Sequence, residues 1–151
     1  MYTGDILNTP PDCAIAHCVG ADLLMSDGIA RVIKEKFNLQ ANIEEWLQSD
    51  IKTGDILIAK VYDRLILNLV TKPKSKEKPS WKNMKTTLKN LLSTCEEHEI
   101  TRLFMPKIGS GLDEIPWCKT MKMLKSNFAN SSVKITVLTL PEDEHISYSA
   151  A

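Results

Sequence analysis

The stretch CAIAHCVGADLLMSDGIARVIKEKF, residues 13–37, decides the fold. Its first seven residues (CAIAHCV) are a short apolar run of the kind that forms a strand buried on both faces. Residues 20–27 are loop-like, opening on Gly20 and closing on Asp27. From Gly28 the pattern turns helical, with Ile29, Val32, Ile33 and Phe37 at three- and four-residue spacing. A strand that feeds a helix through a glycine-bounded loop is the repeating unit of an α/β protein.

Working outward, a second short helix is predicted over 41–47. Residues 55–61 and 65–70 are apolar and β-branched, with Tyr62, Asp63 and Arg64 between them, and read as a hairpin. Residues 71–80 (TKPKSKEKPS) are lysine-rich and bracketed by prolines, a loop. Residues 81–97 form a long amphipathic helix, with Trp81, Met84, Leu88, Leu91, Leu92 and Cys95 on one side and Ser80 as its N-cap. A brief strand at 103–105, a glycine turn at 109–111, a helix carrying Trp117, Met121, Leu124 and Phe128, and a β-branched strand at 133–140 complete the series. Strands alternating with helices predict a mixed sheet covered by helices on both faces. The 151 residues make one domain with no internal repeat, followed by a polar, acidic tail at 141–151.

Composition narrows the function classes. Hydrophobic residues are 43% of the chain and charged residues 25%, ordinary globular usage. Nineteen basic residues balance nineteen acidic ones, so no net charge draws the protein toward nucleic acid or an anionic membrane. No apolar run approaches the roughly 18 residues of a membrane span. Met1 to Asp5 lacks the basic start of a signal peptide. Cys13, Cys18, Cys95 and Cys118 are too few and too scattered for a disulfide scaffold, which points to free thiols in an intracellular setting, cytoplasm or nucleus.

All six glycines fall outside helix and strand interiors. Gly109, Ser110, Gly111 and Leu112 sit between a strand and a helix, where backbone amides suit a phosphate, and Gly28 opens a helix in the same way. Two such turns suggest a diphosphate; ordinary turn glycines are the alternative. Asp113, directly after the second turn, reads as a general acid or base, as a group that orients a sugar hydroxyl, or as a helix N-cap. Lys72 ends a buried strand, a position suited to a nucleophile, or else it is one more solvated lysine beside Lys74, Lys76 and Lys78. His17 and Cys18 are neighbours on a strand and point to opposite faces, so the histidine does not activate the thiol. Cys13 and His17 share a face, but two ligands do not make a zinc site.

Taken together these segments resemble a macrodomain, the ADP-ribose-binding fold. The resemblance rests on Gly4-Asp5-Ile6, Ala16-His17-Cys18, the first loop at 25–30 (MSDGIA), the second at 105–113 (MPKIGSGLD) and the closing strand at 134–137. Within the family the chain is most similar to the terminal ADP-ribose protein glycohydrolase type, through Thr71-Lys72, Lys78-Pro79 and Gly111-Leu112-Asp113, in that order. The resemblance implies a three-layer α/β/α sandwich with a mixed central sheet over residues 1–140. Because three residues precede Gly4, it also implies a shortened first strand. It implies that Lys72 attacks the distal ribose and that Asp113 assists breakdown of the covalent intermediate. Asp5 and Ile6 would meet adenine, Gly28 and Ile29 would border the distal ribose, and Ile108 to Leu112 would hold the diphosphate. The implied partners are ADP-ribose and proteins carrying mono-ADP-ribose on glutamate or aspartate, met by a monomer without metal or cofactor. Small ADP-ribose esters or phosphates as substrates, or ADP-ribose reading without turnover, are the alternatives. The chain departs from the family at Ser26-Asp27, where small residues are usual, and at Pro73, which stiffens the backbone after Lys72.

Overall fold

The computed structural model describes residues 2–3, 9–10, 12–26, 28–108 and 115–139. Six strands form one sheet in the order β1-β6-β5-β2-β4-β3. They are β1 (Tyr2–Thr3), β2 (Ala14–Gly20), β3 (Ile56–Val61), β4 (Arg64–Lys72), β5 (Arg102–Met105) and β6 (Lys134–Thr139). The helices are α1 (Gly28–Lys36), α2 (Gln40–Trp46), α3 (Trp81–Glu97) and α4 (Trp117–Phe128). All neighbouring pairs are parallel except β3 with β4, which makes the sheet mixed, as expected. The described part of β1 pairs Tyr2 with Leu138 and Thr3 with Thr139.

The apolar run of β2 is explained by its central place, because both of its faces are covered. Ala14 and Ala16 join Leu67, Leu69, Met84, Leu88, Leu91, Leu124 and Phe128 in a core under α3 and α4. Ile15 and Val19 join Ile66, Val70, Ile33, Leu39 and Ile43 in a second core under α1 and α2. The strand's two-residue period thus divides it between two helical layers, giving the expected three-layer α/β/α sandwich. α3 starts where the sequence indicates. The Asn83 N–H donates to the Ser80 hydroxyl at 3.0 Å, which satisfies one of the donors left open at a helix start. Burial of Cys95 on its inner face pushes that thiol up to about 12. All four cysteines are free. Among the described residues no helix is long and apolar enough to cross a membrane.

Most elements match the sequence reading to within one residue, and both ends of β4 differ for physical reasons. Arg64 is not part of the hairpin connection. It pairs with Val61 as the first residue of β4, leaving a two-residue turn at Tyr62 and Asp63, with Tyr62 at φ 56°. The reason is a tertiary contact: the buried Arg64 guanidinium donates to the Thr9 hydroxyl and carbonyl, each at 2.7 Å. Thr71 and Lys72 belong to β4 and not to the lysine-rich loop. Pairing of Lys72 with Gly20 of β2 outweighs the polar composition of this strand end.

The topology creates one privileged edge. The parallel strands β2, β4, β5 and β6 all end on the same side of the sheet. After β2 the chain passes to α1 under one face, and after β5 it passes to α4 under the other. These two strands are neighbours, so the sheet order reverses direction between them. In open α/β sheets ligands bind at such a crevice.

Candidate functional site

Lys72 stands at this edge as the last residue of β4, half-buried. β2 and β4 run in step from Ile15 opposite Ile66 to Val19 opposite Val70, then slip, so that Gly20 faces Lys72. The Ala21 N–H donates to the Lys72 carbonyl at 2.9 Å. Beyond Lys72 the chain folds back across the end of β2. A Cβ on Gly20 would lie 2.5 Å from the Ser75 nitrogen and 2.8 Å from the Lys74 carbonyl carbon. Only glycine fits beneath that crossing.

Asp22 closes the crossing. Its carboxylate accepts from the Ser75 N–H at 2.9 Å and from the Ser75 hydroxyl at 2.5 Å. It also accepts from the Leu24 N–H at 3.4 Å. Partial burial pushes this carboxyl up, but the hydrogen bonds and the charge of Lys72 outweigh it and hold the group below the ordinary aspartate value. The rest of the β2–α1 loop is similarly pinned. Leu23 and Met25 are buried although their φ values, 53° and 45°, lie in the left-handed region that side chains disfavour. Each such residue costs on the order of 1–3 kcal/mol, and such strain collects where a loop must hold a set shape. The Lys34 ammonium donates to the Leu24 carbonyl at 3.3 Å. The loop ends at Gly28, with φ 60°, where α1 begins.

The remaining expected site residues divide into two groups. Gly28 is exposed at the start of α1, and Ile29 is half-buried against the α1/α2 core. Ile108 is 3% exposed, with its side chain in the core under α3 and α4. Asp5, Ile6, Gly109, Ser110, Gly111, Leu112 and Asp113 lie outside the described residues, as does Asp27. The β5–α4 connection that carries Asp113 leaves β5 at the same edge as Lys72. α4 begins at Trp117, with Pro116 at the cap position. Proline is preset for a helix start.

His17 and Asn68 lie deeper between the same strands, opposite each other in register. His17 is fully buried, with Nε2 2.5 Å from Asn68 Oδ1. Asn68 spends its amide hydrogens on the Leu57 and Ile66 carbonyls, at 2.9 Å and 3.3 Å. Its oxygen is therefore the acceptor, and His17 carries its proton on Nε2. Burial lowers the His17 pKa to about 4 even though the Asn68 contact raises it, so the imidazole is neutral. As expected, this histidine faces away from Cys18, which borders the opposite core.

Sequence reasoning missed Asp22, Ser75 and Asn68. The contact between Asp22 and Ser75 spans 53 positions of chain and follows from no local pattern. Asn68 did carry a signal, as the one polar residue between Leu65 and Val70 in a strand otherwise apolar there.

A three-layer sandwich with a mixed sheet, whose parallel strand ends gather a lysine, a strained loop and a helix start at one edge, defines an α/β ligand-binding domain. The chain belongs to the Macro domain family, whose pattern matches residues 16–124. It is 35% identical over 137 residues to the human protein named ADP-ribose glycohydrolase OARD1, covering 91% of this chain and 88% of that protein. It is 33% identical to the bovine protein of the same name, with the same coverage. Among solved structures it is similar to the macrodomain of Thermus aquaticus DarG, with a TM-score of 0.80 and 21% identity over 93% of this chain and 96% of that one. The macrodomain of Mycobacterium tuberculosis DarG gives a TM-score of 0.82 at 19% identity, over 91% of this chain and 95% of that one. At those identities the two structures speak to the fold.

Proposed function

We propose that this protein is an ADP-ribosyl hydrolase that releases mono-ADP-ribose from glutamate and aspartate side chains of proteins, with Lys72 as nucleophile and Asp113 as its acid/base partner. The observation that carries the reading is the 35% identity, over 91% of the chain, to a protein named ADP-ribose glycohydrolase. The position of Lys72 at the carboxyl end of β4, beside the pinned β2–α1 loop, supports its role.

In this scheme Lys72 Nζ, having passed one proton to Asp113, attacks the anomeric carbon of the distal ribose. A C–N bond forms, the bond to the ester oxygen breaks, and the side-chain carboxylate departs as a good leaving group. The lysine nitrogen then passes a second proton to the ring oxygen. Opening of the sugar ring gives an imine; water adds to its carbon and expels the lysine amine, which releases ADP-ribose and restores the enzyme. Asp5 and Ile6 hold the adenine, Gly28 and Ile29 border the distal ribose, and Ile108, Gly109, Ser110, Gly111 and Leu112 cradle the diphosphate through backbone amides.

The test gives wild type and Lys72→Ala a protein mono-ADP-ribosylated on glutamate and follows release of ADP-ribose. Wild type is expected to release it, and the variant to fall by on the order of a thousandfold or more. Release at the wild-type rate by Lys72→Ala removes the nucleophile assignment. Binding of ADP-ribose without release by either protein makes the chain a reader.

A further inference from the structure

We propose that Asp22 is a positioning residue for Lys72: its carboxylate straps Ser75 across the end of β2, and this strap sets where the Lys72 side chain starts. The inference rests on the proposed role of Lys72 and extends it to a residue that need not touch the substrate.

Three observations meet at this point. First, the strands slip by one residue between Val19 and Gly20, so the sheet ladder that fixes the rest of β4 changes step just before Lys72. At its carboxyl end the lysine is tied to the sheet by the bond from the Ala21 N–H to its own carbonyl, 2.9 Å long. Second, the segment after Lys72 presses against bare backbone at Gly20, with distances to a notional Cβ of 2.5–2.8 Å. Packing that tight resists movement toward β2 but does not resist lifting away from it. Third, Asp22 supplies the force in the other direction, holding both the N–H and the hydroxyl of Ser75. Hydrogen bonds to a carboxylate are shorter and stronger than neutral ones. Asp22 itself is fixed by the Leu24 N–H, inside a loop whose Leu23 and Met25 side chains are buried. The strap therefore joins the lysine segment to a constrained loop, and Lys72 lies near enough for its charge to act on Asp22. Pro73 shortens the lever by fixing one backbone angle between Lys72 and the strapped Ser75.

A misplaced nucleophile loses rate while remote parts of the substrate still bind. The experiment measures kcat and KM for release of ADP-ribose from a glutamate-modified protein by wild type, Lys72→Ala, Asp22→Ala, Asp22→Asn and Ser75→Ala. Melting temperatures and the Kd for free ADP-ribose are measured alongside. Asp22→Ala is expected to lose at least tenfold in kcat, with KM and Kd within about twofold of wild type. Asp22→Asn keeps an acceptor oxygen for the Ser75 N–H and is expected to recover most of that loss. Ser75→Ala, which keeps the backbone half of the strap, is expected to lie between wild type and Asp22→Ala. An Asp22→Ala protein with wild-type kcat overturns the inference while leaving Lys72 in place. So does equal loss in Asp22→Ala and Asp22→Asn, or a loss confined to KM. If Asp22→Ala does not fold, Ser75→Ala and Asp22→Asn decide, and wild-type kcat in both overturns it. An inactive wild type, or a fully active Lys72→Ala, removes the proposed function and this inference with it.

Discussion

Two of the side-chain links that join the β2 side of the molecule to the β4 side are built on opposite principles. The inner one, His17 to Asn68, lies in full burial between residues that the sheet register already sets opposite each other. Both partners are neutral, and Asn68 is saturated by two carbonyls of the hairpin. The outer one, Asp22 to Ser75, is charged, half-buried and carried by loops that the register does not align. The inner link serves packing, because a polar group without water must be neutral and paired. The outer link can keep its charge because water reaches it, and it sits where the backbone carries strain at Leu23 and Met25. A neutral, buried link and a charged, half-buried one thus succeed each other along the same two strands.

The inner link can be broken by acid. The buried imidazole titrates near 4, while an unfolded histidine titrates near 6.5. As pH falls through that window the unfolded chain binds a proton that the folded chain refuses, so stability falls with pH. The loss by His17 approaches about 3 kcal/mol at the low end of the window. Urea unfolding between pH 7 and pH 4 measures it. His17→Leu should flatten the difference, and an unchanged slope in that variant would assign the effect to other groups. The outer link can be broken by sterics. Gly20→Ala drives a methyl group into the Lys74–Ser75 backbone and should cost about 1–3 kcal/mol, with turnover falling together with stability. A wild-type denaturation midpoint for that variant would mean that the crossing is loose. The smallest effect tests where the outer link ends. Ser80 caps α3 at the far end of the same loop, and Ser80→Ala should cost about 1 kcal/mol in a thermal melt. A loss as large as that from Gly20→Ala would mean that loop and helix start form one unit.

The division also governs what can be read from the chain alone. The strand at Ala14–Gly20, both ends of α3 and the three-layer plan follow from patterns within a few residues of one another, and each has a local physical cause. Lys72 was legible as a strand end because apolar residues give way there to prolines and lysines. The strap was not legible, because Asp22 and Ser75 each look like ordinary loop residues until a parallel pairing brings their loops together. Arg64 was misplaced for the same reason: its burial depends on Thr9, 55 positions away. Several residues of the proposed pocket, Asp5 and Asp113 among them, fall outside the described residues, and their roles rest on likeness to the family.

The one-residue slip between Val19 and Gly20 also has a meaning for protein engineering. Before the slip, every residue of β2 and β4 shares one lattice, and an insertion or deletion there would turn a whole row of side chains to the wrong layer. After the slip, the phase of that lattice no longer constrains the chain. The boundary is a seam between scaffold and variable region. Substitutions confined to the exposed positions 24, 26, 73, 74 and 76–78 alter the chemistry of the edge without disturbing the two cores, to which the buried Leu23 and Met25 belong.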